Sequence, residues 1–506
     1  MEYGGENEMN KFNRWIILAV VSTALMLIVM DATILYTALP SLTHDLGASA
    51  SEKLWILNGY SLVMAGLLPA MGTLGDRFGH RRIFSIGLVA FTGASLLAAF
   101  APLPTILIAG RVLLAVGASM MMPATLSIIR VTFTNPRELG LAIGIWGSIA
   151  SGGAGLGPII GGLLVEHFWW GAAFLINVPI AIAASILTLI YVPKHAGDKK
   201  KKWDLTGSIQ ILIAMVALIF AIKEFARREG SPVLAVIVAI IGSVALIIFI
   251  RRQLKSSNPL LDLSLFKITP FTTGFITAMV ALFGQLGIQY IVTQRLQLVE
   301  GLGPLQAGLI TLSIPLAALV IGPFIGKILY IYDVIRLQIL SFLVATVGMI
   351  IYIFQFDSGM SGQVIGLALL GAGLGAGMMA ASHSIMSSAP AHKAGMAASI
   401  EEVAYELGGA SGIAIIGSMS GLVYTLSMKI PVGIEVPTNV KDSLDEALLA
   451  AEGLAGHASE ALKEAGRTAF DQSFVAILGG VAVLFMIASL VIGLIGARPK
   501  QKGTGI

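Results

Sequence analysis

Three glutamates, Glu401, Glu402 and Glu406, stand close together in Ser399-Ile400-Glu401-Glu402-Val403-Ala404-Tyr405-Glu406-Leu407-Gly408, inside a long apolar run. On a helix, Glu402 and Glu406 are four positions apart and share a face, while Glu401 points about 100° away, beside Tyr405. Two carboxyls on one face in low dielectric resist joint ionisation, so the pair suits the exchange of a proton for another cation. A competing expectation places Glu401 and Glu402 at the start of the helix, solvated and stabilised by its dipole. Under the first reading, Glu406 is deeper in its helix than Glu402, farther from water, and carries the greater share of coupling.

Other charges stand where hydrocarbon excludes them. Asp31 lies in Met30-Asp31-Ala32-Thr33-Ile34-Leu35-Tyr36-Thr37-Ala38-Leu39-Pro40. A carboxylate there costs several kcal/mol unless it is protonated, paired or facing a watery cavity. Both a hydrogen bond to a neighbouring helix and a carboxyl traded against substrate remain open. Arg111, in Ala109-Gly110-Arg111-Val112-Leu113-Leu114-Ala115-Val116-Gly117, is a lone cation that must find a carboxylate or several carbonyls. The stretch Gly72-Thr73-Leu74-Gly75-Asp76-Arg77-Phe78-Gly79-His80-Arg81-Arg82 sets an acid and three arginines among glycines between two apolar runs. Asp76 can cap or brace a helix end, and Arg77, Arg81 and Arg82 can pair with acids or lipid phosphates across a moving seam. In Gly153-Ala154-Gly155-Leu156-Gly157-Pro158-Ile159-Ile160-Gly161-Gly162, small residues permit close approach of a neighbour and Pro158 permits a bend.

The elements that position these residues are membrane helices. With 56% hydrophobic and 12% charged residues and a mean hydropathy of +0.88, a 506-residue chain has too little polar surface to cover itself in water. Cysteine is absent, which excludes disulfides and thiolate metal sites. The net charge of +4 is spread over loops, so no nucleic-acid partner is expected. The first 13 residues are polar and the apolar run from Trp15 is too long for a cleavable leader, so it reads as a first span. Apolar stretches of about 20 residues occur fourteen times along the chain. The two central ones, around Ile209 and Ile237, are joined by a charged connection, Lys223 to Gly230, on the side expected to be external.

Of the 32 Lys and Arg, 22 fall in inner segments and 9 in outer ones when Met1 is cytoplasmic, so both termini are expected inside. The run Lys199-Lys200-Lys201-Lys202 is the strongest inside marker. The expected division is a six-helix bundle over 1–193, a linker with two additional spans over 194–269, and a second six-helix bundle over 270–506. Ser443-Leu444-Asp445-Glu446 is a capping-box pattern, and with a further helical stretch from Ser459 it suggests a small external helical hairpin over about 427–470.

These motifs together resemble the fourteen-span drug:proton antiporter family of the major facilitator superfamily. Asp31 to Pro40 is similar to its first-helix signature, Gly72 to Arg82 to motif A, Arg111 to Gly117 to motif B, and Gly153 to Gly162 to the antiporter motif C. Ala394 through Gly408, Trp55 to Val63 and Phe174 to Pro179 resemble the QacA- and SmvA-type exporters of quaternary ammonium compounds and methyl viologen. The resemblance implies an all-α integral membrane protein with the major facilitator fold, two six-helix bundles plus two extra central helices. It also implies alternating access, multidrug efflux of lipophilic organic cations against protons, and a multi-pass place in the bacterial cytoplasmic membrane. Asp31, Glu401, Glu402 and Glu406 are the expected cation and proton sites. Trp55, Asn58 and Tyr60 are expected cavity walls, with Met64 and Met120 to Met122 as polarisable alternatives.

No cofactor is expected beyond the proton gradient, and a single chain is expected to suffice as the functional unit. Two departures bear on substrate charge. Asn58 stands where relatives often carry Asp, and the tenth span has Ala317 and Ala318 where some relatives carry Asp, which disfavours dications such as bisbiguanides. A rival within the superfamily is an exporter of a neutral or anionic lipid or metabolite, with Arg295 as its cavity cation. A membrane-embedded enzyme or sensor is disfavoured, because no nucleophile–base pair, metal-ligand cluster or phosphate loop is evident. The Gly371 to Gly377 run reads as helix packing.

Overall fold

A computed structural model describes residues 3–194, 197, 204–226, 230–256, 259–356, 359–431 and 436–497. Among these residues there are helices and turns and no strand. In chain order the helices are α1 (Tyr3–Asp45), α2 (Ala50–Phe78), α3 (His80–Ala99), α4 (Pro104–Thr132), α5 (Pro136–His167), α6 (Ala172–Leu175), α7 (Asn177–Tyr191), α8 (Leu205–Ala226) and α9 (Pro232–Lys255). There follow α10 (Thr269–Gln294), α11 (Pro304–Thr311), α12 (Ser313–Ile328), α13 (Val334–Gln355), α14 (Met360–Ser388), α15 (Ala394–Ser427), α16 (Leu444–Glu452) and α17 (His457–Gly496). Among the described residues, fourteen helical stretches are long and apolar enough to cross a membrane, α6 with α7 and α11 with α12 each making one crossing. The protein is an all-α, multi-pass membrane protein.

Helix boundaries follow local chemistry. Ser49 accepts the Glu52 N–H while the Glu52 carboxylate accepts the Ser49 N–H, a capping box that starts α2. Proline opens α4, α5 and α9, where its missing N–H is no loss. The segment Gly72 to Arg82 is almost entirely helical: Gly79 alone, at φ 94°, separates α2 from α3. A side chain at that φ would be strained, so the sharp reversal depends on glycine.

The helices α1 to α7 pack around one apolar core, which Ile385 and Met386 of α14 and Met396 and Ala397 of α15 also join, and α10 to α17 pack around a second. The pair α8 and α9 attaches elsewhere, with Ile211, Met215 and Ile219 of α8 packed on Leu62 and Ala65 of α2 and beside Val403 and Leu407 of α15. The α8 helix therefore lies against both halves at once. In contrast, α9 exposes Val233, Ile237, Ile240, Val244 and Ile248, as a lipid-facing helix does.

One expectation needs correction and one lies outside the described residues. Lys223 is not in an external connection: α8 runs on to Ala226, and the Lys223 side chain is turned back onto α2. The helix α16 lies against the first turns of α17, which runs on from His457 to Gly496 as one helix of 40 residues. Ser443 does cap α16, accepting the Glu446 N–H. The Lys199 to Lys202 run lies outside the described residues.

Candidate functional site

The α15 carboxylates are not solvated. Glu401 and Glu402 lie only 0% and 1% exposed, eight and nine positions into a helix whose first residues are themselves buried. This removes the expectation of a water-bathed helix start. The hydroxyl of Tyr405, one turn on, donates to Glu401 Oε1 at 3.0 Å, as the spacing implies. Glu401 Oε2 and Glu402 Oε1 have no hydrogen-bond partner. Neither residue takes part in an ion pair among the described residues. An unsatisfied buried carboxyl is costly, and such groups persist where a ligand or proton completes them. Glu406, one turn farther along, keeps part of its surface accessible where Glu401 and Glu402 do not.

Facing Glu406 is a cation that sequence reasoning placed elsewhere. Lys223 of α8 donates from Nζ to Asn58 Oδ1 at 2.8 Å and to Ser61 Oγ at 2.9 Å, both on α2. Its charge also interacts with that of Glu406. Side chains on a helix lean toward its N-terminus, so a lysine near the end of α8 reaches back into the span. The signal was present in the sequence, since Lys223 directly follows an unbroken apolar run, but hydropathy alone assigns such a residue to a loop.

Asp31 and Arg111 solve each other's burial. Arg111 Nη1 donates to Asp31 Oδ2 at 2.6 Å, and both side chains are at most 2% exposed. Asn177 of α7 donates to Asp31 Oδ1 at 2.8 Å, and Arg111 Nε donates to the Ile56 carbonyl at 3.4 Å. The Arg111 guanidinium lies 4.4 Å from the centre of the Tyr60 ring. Tyr60 thus faces inward onto Arg111, and its buried hydroxyl has no partner. The four residues tie α1, α2, α4 and α7 together. Trp55, one turn earlier than Gly59, is 49% exposed, while Met64, Met120 and Met121 are buried.

At the α2–α3 reversal the two halves meet. Asp76 Oδ1 accepts the Gly395 N–H at 3.0 Å and Oδ2 accepts the Met396 N–H at 3.3 Å, so a side chain of the first half caps the first turn of α15 in the second. His80 Nε2 lies 3.3 Å from Asp76 Oδ1, a partner that the motif did not suggest. Gly72 lies against Gly395 and Ser399, where a Cβ would strike the Gly395 carbonyl. Arg81 donates to the Leu189 carbonyl at 2.8 Å, Arg77 stacks on Phe78 at 5.0 Å, and Arg82 is exposed. None of these arginines touches the second half in a recorded ion pair or hydrogen bond; the acid and the glycine make the junction.

The remaining small-residue segment divides by face. Gly153, Gly157 and Gly161 lie against Met26, Thr33 and Thr37 of α1, four residues apart as one helical face requires. Gly162 faces open space, and Pro158 sits within an unbroken α5. On another face, Gly140 and Gly144 of α5 cross Gly322 and Gly326 of α12 backbone to backbone. This is the counterpart of the α2–α15 crossing, and Asp333 caps α13 just beyond it through the Ile335 and Arg336 N–H groups.

The sequence match agrees with this paired construction: the Major Facilitator Superfamily family model covers residues 21–413. The chain belongs to the major facilitator superfamily. Among its relatives, the methyl viologen resistance protein SmvA of Salmonella typhimurium is 38% identical over 94% of this chain and 97% of that protein. The multidrug efflux pump LfrA of Mycolicibacterium smegmatis is 36% identical over 95% of each. Among solved structures, the human organic anion transporter MFSD10 superposes with a TM-score of 0.60 at 14% identity, covering 94% of this chain and 99% of the other. The proton:xylose symporter XylE does so equally well, over 96% of each. At such identities the structural likeness speaks for the fold.

As a major facilitator protein it is a transporter and not an enzyme. Two further features of the transporter are structural. Arg295, the cation expected for an anionic substrate, is held by Asp471 and Glu300 and covered by the Phe356 and Phe474 rings. The glycines from Gly371 to Gly377 admit the backbones of Ile314, Ala318 and Ala345, which is close helix packing.

Proposed function

We propose that the protein is a proton-coupled multidrug efflux antiporter that extrudes lipophilic organic cations such as quaternary ammonium biocides, dyes and viologens. The observation that carries this reading is the α15 cluster, three acids on one helix, of which Glu401 and Glu402 are buried with unsatisfied carboxyl oxygens. A membrane interior tolerates such groups only where a proton or a cation completes them. The names of two relatives, one a methyl viologen resistance protein and one a multidrug efflux pump, support the substrate class.

The junctions between halves support alternating access. The Asp76 cap on α15 and the α5–α12 glycine crossing hold one end closed. With the termini and the α2–α3 reversal in the bacterial cytoplasm, as the basic loops imply, this is a state closed to the cytoplasm. Protons from outside reach the carboxyls, the halves rock, the protons leave to the cytoplasm, and an organic cation takes the vacated negative charge. The proton gradient drives the cycle without a further cofactor, and one chain is the working unit.

The test is proton movement in proteoliposomes on addition of tetraphenylphosphonium, ethidium or methyl viologen, with neutral and anionic controls. Cation-triggered proton movement that disappears in Glu402→Gln is the expected result. No movement with any cation overturns the antiport reading. Lys223 is the one observation that favours an anionic substrate, and proton movement with the anionic controls alone would establish that alternative.

A further inference from the structure

The extra helix pair brings a positive charge to the place where a cationic substrate would bind. Lys223 comes from α8, which belongs to neither six-helix half, and its ammonium sits on two neutral oxygens of α2, Asn58 Oδ1 and Ser61 Oγ. Opposite stands α15, whose Val403, Leu407 and Ala410 pack with α8 and α2 in one apolar cluster. Glu406, on the same helix, is half-buried and makes no recorded hydrogen bond or ion pair with Lys223. An ammonium half-buried among apolar side chains needs a negative partner or several oxygens. Here it has the oxygens, and the carboxylate within its electrostatic range is left available.

We propose that Lys223 is a resident, tethered counter-cation that competes with the transported cation for Glu406, and that it sets the transporter's preference for monovalent over divalent substrates. The inference rests on the organic-cation reading above. With Lys223 parked on Asn58 and Ser61, Glu406 is free to meet substrate. After substrate leaves, the flexible four-carbon stem lets the ammonium move toward Glu406 and satisfy it. Asn58 suits this parking role because it accepts the ammonium without neutralising it, whereas an acid there would hold it as an ion pair. Throughout, Lys223 repels any bound cation in proportion to that cation's charge. The repulsion enters the binding free energy linearly in substrate charge, so the factor lost by a dication is the square of that lost by a monocation.

The experiment measures equilibrium binding of tetraphenylphosphonium and of methyl viologen to the purified full-length transporter, for wild type, Lys223→Gln, Lys223→Arg and Glu406→Gln. Glutamine keeps hydrogen bonding to Asn58 and Ser61 but removes the charge. Lys223→Gln should tighten tetraphenylphosphonium about 10-fold and methyl viologen about 100-fold, while Lys223→Arg should keep the wild-type ratio of the two. In the Glu406→Gln background the competition is gone and only the direct repulsion remains, so Lys223→Gln should tighten each cation less than it does in wild type, about 3-fold for tetraphenylphosphonium and about 10-fold for methyl viologen. Should Lys223→Gln fail to fold, Lys223→Met replaces it with the same expected ratio. An unchanged ratio of the two affinities in the charge-free variant, or an equal effect with and without Glu406, overturns the assignment. Wild type that binds neither cation instead overturns the organic-cation reading, and this inference with it.

Discussion

Asp76 of α2 caps the first turn of α15, accepting the Gly395 N–H at 3.0 Å from a residue 319 positions away. A helix N-terminus carries unsatisfied N–H groups, so the cap stabilises the closed junction only while the two halves stay together. Charge-assisted bonds of this kind are worth about 1.5–3 kcal/mol. Asp76→Asn keeps an acceptor oxygen but loses the charge, so it should slow turnover about tenfold or more while leaving substrate affinity within about threefold, since Asp76 lies away from the α15 carboxylates. Transport and equilibrium binding on the same preparation check this; a parallel fall in both, with the fold intact, would give Asp76 a different role.

Gly72→Ala tests the same junction sterically. A Cβ at residue 72 would strike the Gly395 carbonyl, which is backbone and cannot swing aside. The variant should favour the state open at this end, and amide hydrogen exchange across 394–399 should rise relative to wild type. Unchanged protection there would show that the crossing is looser than it looks.

Asp31 gives a prediction about the difference between charge and structure. Its carboxylate is bonded to Arg111 and Asn177, so it has no free charge to offer a substrate. Breaking a buried pair leaves the other partner unsatisfied at about 3–5 kcal/mol. Asp31→Asn should therefore lower thermal stability and reduce export of monocations and dications alike. Adding Arg111→Gln should restore part of the stability. A charge-dependent loss in a variant of wild-type stability would instead make Asp31 a substrate site.

Among the α15 acids, Glu402→Gln should bring substrate-induced proton movement to background, because Glu402 is buried without a recorded hydrogen bond or ion pair. Glu401→Gln should be milder, as the amide oxygen still accepts the Tyr405 hydroxyl. Proton release at matched expression separates them, and equal defects would mean that the two acids act as one unit.

The loop before α10 adds a pH dependence. Burial tends to raise the Asp262 carboxyl, but hydrogen bonds from Lys393 and Ser264 and the Lys393 charge outweigh it and hold it below its ordinary value. Lys393 Nζ is 2.6 Å from Asp262 Oδ2, at the start of α15. A depressed carboxyl contributes stability that is present above its unfolded value, about 3.9, and is lost as pH falls through the folded one. Acidifying below about pH 4 should loosen this tether, and Asp262→Asn should remove the dependence. Exchange at residues 394–396 as a function of pH reads it directly.

Fourteen membrane crossings, the family and the acids of α15 were legible in the chain itself, because hydropathy and short motifs are local properties. So was the burden on Asp31 and Arg111, since a charge in hydrocarbon must be compensated whatever the fold. Which group compensates it was not legible: Arg111 is 80 residues from Asp31 and Asn177 is 146. The cap from Asp76 to Gly395, the burial of Glu402 and the greater access of Glu406 depend on how the faces of distant helices meet. Lys223 shows the limit most clearly. A lysine at the end of an apolar run is equally compatible with a loop or with a side chain turned back into the span. Only the packing of α8 against both α2 and α15, with Asn58 and Ser61 in reach, decided between them.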